Sequence, residues 1–278
     1  MPLRTELPAP TRYLLPGVVA GIAAFVFSHL MIAPLIDRAV EYEAEREHAE
    51  AQLLGGGHDH GHELFSRAAV QGNFGAAVGI AAFSIVMGVL FAVTYTVVRA
   101  VLARRGLSTD PTGLALLVAA GMFVTIALMP ALKYPANPPG VGLPDTAAAR
   151  SSAFLAITVI SVVSACVALA AGLAASRRWG GWPASLLAVG GYVAVMLSAM
   201  VLLPSFHEVP GPLAGPNGLV LDGFPAEVLA EFRLYSLMTQ VLVWMAIGAT
   251  FGWLVAQRKA TADRRRVSAT LASNRVGR

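Results

Sequence analysis

Charge is scarce in this sequence. Only 13% of its 278 residues are Asp, Glu, Lys or Arg, about half the share of a soluble domain, where roughly 25% is usual. A chain so poor in charge cannot cover a water-facing surface, which points to lipid as its main solvent. Cysteine is nearly absent too. The single Cys166 sits in an apolar run, so an intrachain disulfide and a thiolate metal cluster are both excluded. No P-loop, GxSxG, HExxH or Walker-type motif occurs, which argues against ATPase or protease activity. The chain is read as a non-enzyme with no resident cofactor. Its pI near 9.6 would suit a nucleic-acid binder. The basic residues, however, fall in short runs beside apolar stretches, the pattern of topology signals, and no nucleic-acid partner is expected.

What the sequence has is hydrophobic residues, 56% of the total, with a mean hydropathy of +0.66. Crossing the hydrocarbon core takes about 20 consecutive apolar residues in a helix, and six stretches qualify: 14–36, 69–98, 113–132, 152–176, 183–203 and 237–256. The expected fold is an all-α polytopic transmembrane bundle. Arg4 and Arg12 precede the first stretch, as in a signal peptide, but that stretch is longer than a usual signal core. It is read as a span; cleavage would leave five.

Orientation follows from the excess of Lys and Arg on cytoplasmic loops. With the N-terminus inside, the inner segments hold 14 of the 20 Lys and Arg but only three of the 16 acids, Glu6, Asp110 and Asp263. The net charge is then +11 inside and −7 outside. This places a short N-terminus (1–13) and a basic tail (257–278) in the cytoplasm. Outer loops fall at 37–68, 133–151 and 204–236, in a protein of the cytoplasmic (inner) membrane. Within the spans, Gly17/Gly21, Gly75/Gly79 and Gly248/Gly252 form GxxxG pairs that allow close backbone approach. They predict tight packing of the first, second and last helices.

The three outward spans end alike. Pro34 precedes Asp37, Pro130 precedes Lys133 and Pro204 precedes His207, each by three residues. Arg67, Arg150 and Arg233 then introduce the returning spans at equal intervals of 83. The pattern reads as three copies of one helical hairpin, against the plainer view that proline ends helices and arginine snorkels to headgroups.

The first outer loop carries the most chemistry. Residues 37–53 are helical in propensity and hold Asp37, Glu41, Glu43, Glu45, Glu47, His48 and Glu50. After Gly55-Gly56-Gly57 come His58, Asp59, His60, His62 and Glu63. Alternating imidazoles and carboxylates on a glycine-hinged segment can wrap a divalent transition metal, and His48 is a further candidate ligand. His207 and Glu208, just beyond the fifth span, form a candidate relay beside this cluster. His29 in the first span, Asn73 in the second and Gln240 in the sixth are candidates for an intramembrane path; interhelical hydrogen bonding competes for the amides. The second outer loop, 133–145, holds four prolines and is expected to form a fixed plug or lid.

Four segments together resemble a known family. They are FSHLMIAPLIDRAVEYE at the end of the first span, LFSRAAVQ opening the second, MPALKYPANPPGVGLPDT after the third, and GFPAEVLAEFRLYSLMTQVLVWMAIGATFGWL for the last. Over roughly residues 14–256 the chain is similar to the CbtA family of predicted cobalt transporter subunits. The resemblance implies cobalt uptake associated with vitamin B12 synthesis, and a small one-span partner, CbtB, that carries its own histidines. From the residues alone two other functions stay open: a membrane scaffold that binds metal without transporting it, and a metal efflux component with the His loop as an exit buffer.

The topology has a direct check. With Cys166→Ser as background, Gly57→Cys in intact cells is expected to react with a membrane-impermeant thiol reagent; protection there would reverse the orientation.

Overall fold

The computed structural model describes residues 9–54, 62–216 and 218–276. Six of its helices are long and apolar enough to cross a membrane: Tyr13–Met31, Ala77–Arg104, Pro111–Lys133, Pro144–Trp179, Gly181–Leu202 and Ala226–Arg258. The chain is an all-α polytopic bundle. In chain order the elements are α1 (Ala9–Met31), α2 (Ala33–Leu53), α3 (His62–Arg104), and a third span made of α4 (Pro111–Met122), a π-helical turn (Phe123–Leu128) and α5 (Met129–Lys133). After these come α6 (Ala147–Trp179), α7 (Gly181–Leu202), the short strands β1 (Leu213–Gly215) and β2 (Gly218–Leu221), and α8 (Ala226–Val276).

Two prolines shape the spans. A proline inside a helix removes one N–H bond and pushes its ring against the carbonyl four residues back. At Pro34 the chain stops as α1 and restarts as α2, with Pro34 at the second position of the new helix, where its missing N–H costs nothing. At Pro130 the preceding turn widens into the π-helix, which moves the obstructing carbonyl aside and keeps the span continuous. Residues 37–53 are helical as expected. The last span begins at Ala226, eleven residues before the expected 237, because Glu227, Glu231 and Arg233 interrupt the hydropathy but not the helix.

The chain divides into two compact units. The first comprises Met1–Val26, Gly72–Met122 and Val241–Arg278, and two glycine contacts hold it. A Cβ at Gly17 would lie 2.6 Å from the Ser84 carbonyl oxygen and 2.7 Å from the Ile85 Cα, and one at Gly88 would meet the Gly17 backbone at 2.8 Å. Only glycine lets α1 and α3 approach this closely. Gly248 and Gly252 of α8 do the same against α4, at Ala119 and Thr112. Phe91, Tyr95 and Phe251 form an aromatic cluster beside them. The expectation for the GxxxG pairs is thus corrected in part. Among the described residues nothing lies within 4 Å of a Cβ at Gly75 or Gly79; Gly88 is the α3 glycine that packs, and the last span packs on the third.

The second unit comprises Phe27–Gln71 and Phe123–Gln240. Within it α6 and α7 form a hairpin turned at Gly180, whose φ of +81° suits glycine. Gly172 packs near Ala188, and the Ser161 and Tyr192 hydroxyls share a hydrogen bond of 2.8 Å. The antiparallel β1–β2 pair, with a register shift between Leu213 and Ala214, is an element that the hydropathy pattern did not signal.

These contacts predict opposite outcomes for two similar substitutions. Gly17→Ala should destabilise the detergent-solubilised protein by about 1–3 kcal/mol, the usual cost of overpacking. Gly79→Ala should be neutral or stabilising by up to about 1 kcal/mol through helix propensity. Thermal unfolding of the two variants compares them.

Candidate functional site

Helix α2 is amphipathic for a visible reason. Leu35, Ala39 and Tyr42 recur at helical spacing and are buried, and with Ile32 they join Val141, Phe224, Val228 and Phe232 in one apolar cluster. Tyr42 meets Phe224 edge to face with ring centroids 5.0 Å apart, and its hydroxyl donates to the Asp222 carbonyl at 3.3 Å. One turn on, the Arg46 guanidinium donates to the Gly211 carbonyl at 2.8 Å and pairs with Glu50 at 2.9 Å. At the far end, Leu53 lies where a side chain on Gly215 of β1 would go.

Burying that stripe turns the opposite one outward. Asp37, Glu41, Glu45 and His48, at spacings of four, four and three, share one exposed face of α2, and Glu43 and Glu47 are exposed on its flank. Carboxylate and imidazole oxygens and nitrogens along one helix face can attract and pass on a divalent cation. Among the described residues no three His, Cys, Asp or Glu side chains gather around a common point, so this face is a charged surface rather than a formed cage. His58, Asp59 and His60 lie outside the described residues. His62 and Glu63 stand in the first turn of α3 and Asn73 further along it, with only their backbone described.

Glu208 has a different setting. One carboxylate oxygen accepts the Leu143 N–H and the Thr146 hydroxyl, both at 2.8 Å, and lies 3.5 Å from the Arg150 Nε. Its own carbonyl accepts the Gly142 N–H at 3.2 Å, while Arg150 donates to the Leu143 carbonyl at 3.0 Å. Gly142 is obligatory: its φ is +113°, and a Cβ there would overlap the Arg150 guanidinium. The Leu143 N–H, then the Thr146 hydroxyl, then the Arg150 charge hold the Glu208 carboxyl below its ordinary range. Its neighbour His207 is exposed.

The proline-rich loop is pinned at its other end too. Arg233 donates to Asn137 at 2.8 Å, Lys133 to the Ser205 hydroxyl at 2.6 Å, and the Tyr134 hydroxyl to the Pro204 carbonyl at 2.6 Å. Val141 at its tip is buried in the α2 cluster. Thus Arg150 and Arg233, noticed in the sequence for their spacing, both secure this loop. Tyr42, Arg46 and Thr146 escaped notice, although Tyr42 and Arg46 continue the spacing of Leu35 and Ala39. Of the intramembrane candidates, His29 is exposed in the last turn of α1 and Gln240 is half-buried on α8.

The depressed Glu208 ionisation fixes the sign of a pH effect. The clamp contributes fully above the ordinary carboxylate pKa of about 4.3 and is lost as pH falls through the lower folded value. Glu208→Gln should therefore lower the unfolding temperature at pH 7, and its gap to the parent protein should close below about pH 4.

Neither a curated protein nor a solved structure matches the chain. The family described as "Probable cobalt transporter subunit (CbtA)" matches residues 11–256, from α1 through the membrane-crossing part of α8. With six helices able to span a membrane and a match over most of its length, the chain belongs to the CbtA family of probable cobalt transporter subunits.

Proposed function

We propose that this chain is the multi-span subunit of a cobalt uptake system, in which the α2 face and the His58–Glu63 segment collect the divalent cation on the outside. The observation that carries this reading is the division of α2 into a buried apolar stripe and an exposed stripe of Asp37, Glu41, Glu45 and His48. The packed stripe holds the helix in place, so the charged one presents its groups at fixed spacing. The histidine segment follows α2 in the sequence, and its imidazoles would replace part of the cation's water shell. A negative outer surface concentrates cations, and a potential negative inside, worth about 2.3 kcal/mol per charge per 100 mV, draws them in.

The spans offer little of their own for the crossing. His29, Asn73 and Gln240 are the polar groups considered for it, and His29 is exposed on α1. A subunit so equipped needs a second membrane component to complete the route, and a small one-span, histidine-bearing protein of the CbtB type fits that need. Both termini lie in the cytoplasm in this arrangement, with α2 and the β1–β2 pair on the outer side of the inner membrane.

Cobalt uptake into proteoliposomes, with and without the partner, tests the proposal. With the partner present, His58, His60 and His62 together changed to Ala should lower the apparent affinity for Co²⁺ by about tenfold or more. Glu41→Gln with Glu45→Gln should slow uptake mainly at low salt, since steering of this kind is worth roughly 10-fold upwards in rate and is screened. Uptake indifferent to all five changes would remove the outer face from the mechanism. Binding without movement under any condition would favour a metal-holding scaffold.

A further inference from the structure

Helix α2 shows its acids outward only if it is seated at one rotation, and the proline-rich loop touches the side turned away from them. Successive residues stand about 100° apart round a helix, so Asp37, Glu41, Glu45 and His48 fall within about 80° of one another. Ala39 and Glu43, two residues to either side of Glu41, are each about 160° round from it. Gly140 of the loop lies against these two: a Cβ there would stand 3.5 Å from the Glu43 Cβ and 3.8 Å from the Ala39 carbonyl oxygen. Val141, the next residue, is 6% exposed and shares a cluster with Leu35, Ala39 and Tyr42. The loop thus meets α2 through two consecutive residues, across the helix from Glu41.

A membrane span takes hold of the loop three residues before that tip. Arg233, in the first turns of α8, donates to the Asn137 Oδ1 at 2.8 Å. The other anchors lie at the loop's two ends, with Lys133 and Tyr134 on Ser205 and Pro204, and Gly142 and Leu143 on Glu208 and Arg150. Among the described residues, the one hydrogen bond that reaches 135–141 from outside the loop is the one from Arg233. Between Asn137 and Gly140 stand Pro138 and Pro139. Their rings lock φ, and a residue before proline is itself restricted, so this short link is stiff. A hold on Asn137 is passed on to Gly140 and Val141.

We propose that Arg233 is a positioning residue for cation collection: through Asn137 and the Pro138-Pro139 link it seats Gly140 and Val141 against α2, and so fixes which residues of α2 face outward. Arg233 itself touches no cation. Its effect on uptake rests on the collecting role proposed above for the α2 face; the seating of α2 does not.

The seating is read first, on the full chain in detergent and without transport. With Cys166→Ser as background, Leu35→Cys puts a thiol in the buried stripe, where it should react slowly with a water-soluble maleimide. Asn137→Ala or Arg233→Met should speed that reaction by about threefold, within what one net hydrogen bond supplies. The double variant should go no further than either alone, since both act through one bond. Should Arg233→Met fail to fold, Asn137→Ala removes the same bond from the loop side. Cobalt uptake into proteoliposomes with the partner is read second. The same substitutions, without Leu35→Cys, should raise the Co²⁺ concentration for half-maximal uptake by a similar factor and keep the maximal rate per folded molecule. Unchanged labelling, or additive effects of the two substitutions, overturns the seating. Faster labelling with an unchanged half-maximal concentration, or a loss of maximal rate alone, overturns the part in cation collection. Glu41→Gln with Glu45→Gln in the same assay judges the collecting role of α2 separately: an effect there with none from Asn137→Ala keeps that reading and overturns this one.

Discussion

Hydrocarbon offers no partner to a backbone N–H or C=O, and every departure from regular helix in this chain is arranged around that constraint. Pro16 sits inside α1. Pro34 falls where α1 gives way to α2, so the missing donor lies in a helix start that has no use for it. Pro130 falls two residues beyond a π-helical turn, a widening that keeps the third span helical across the obstruction. The irregular backbone of residues 134–143, 203–212 and 222–225 lies between spans, where side chains and water can satisfy it. Helix packing follows from the same constraint. With no hydrophobic gain to be had between apolar helices in lipid, close approach depends on glycine, at Gly17 and Gly88 in one place and at Gly248 and Gly252 in another.

Between the spans of the second unit, a small water-facing core takes over. Tyr42, Val141 and Phe224 come from α2, from the proline-rich loop and from the segment before α8, and are buried in one cluster. Polar contacts then fix what the apolar cluster brings near. Arg46 ties α2 to Gly211, Glu208 and Arg150 hold Leu143 from both sides, and Arg233 holds Asn137. The Glu208 carboxylate is engaged by these contacts, while the acids of α2 on the opposite face of their helix stay exposed. The division of labour between the two kinds of carboxylate follows from position alone: Glu208 is next to backbone donors, and Glu41 and Glu45 are not.

Much of this was legible beforehand. The spans, the helical stretch after Pro34 and the break in helix over 134–143 all rest on short-range properties, namely hydropathy, propensity and proline content. The failures have equally definite causes. Gly75 and Gly79 have the spacing of a packing motif, but spacing does not say which neighbour is present, and within the described residues none is. The start of α8 was placed late because Glu227, Glu231 and Arg233 look like loop residues until Arg233 is seen reaching Asn137. The setting of Glu208 was not readable for the same reason: the Leu143 N–H that its carboxylate accepts belongs to a residue 65 positions away.

The charge-poor, six-span character of the chain was therefore determined by sequence alone, since lipid solvation acts on each stretch of about 20 residues independently. Which face of α2 is exposed was half determined, by the spacing of Leu35, Ala39 and Tyr42. Only the tertiary structure decided that Phe224 and Val141 would cover that stripe, that Arg150 would take the space beside Gly142, and that Ser84 would be buried against Gly21. Each of these depends on segments far apart in the chain arriving at one place, and the energy of such a contact exists only once both have arrived.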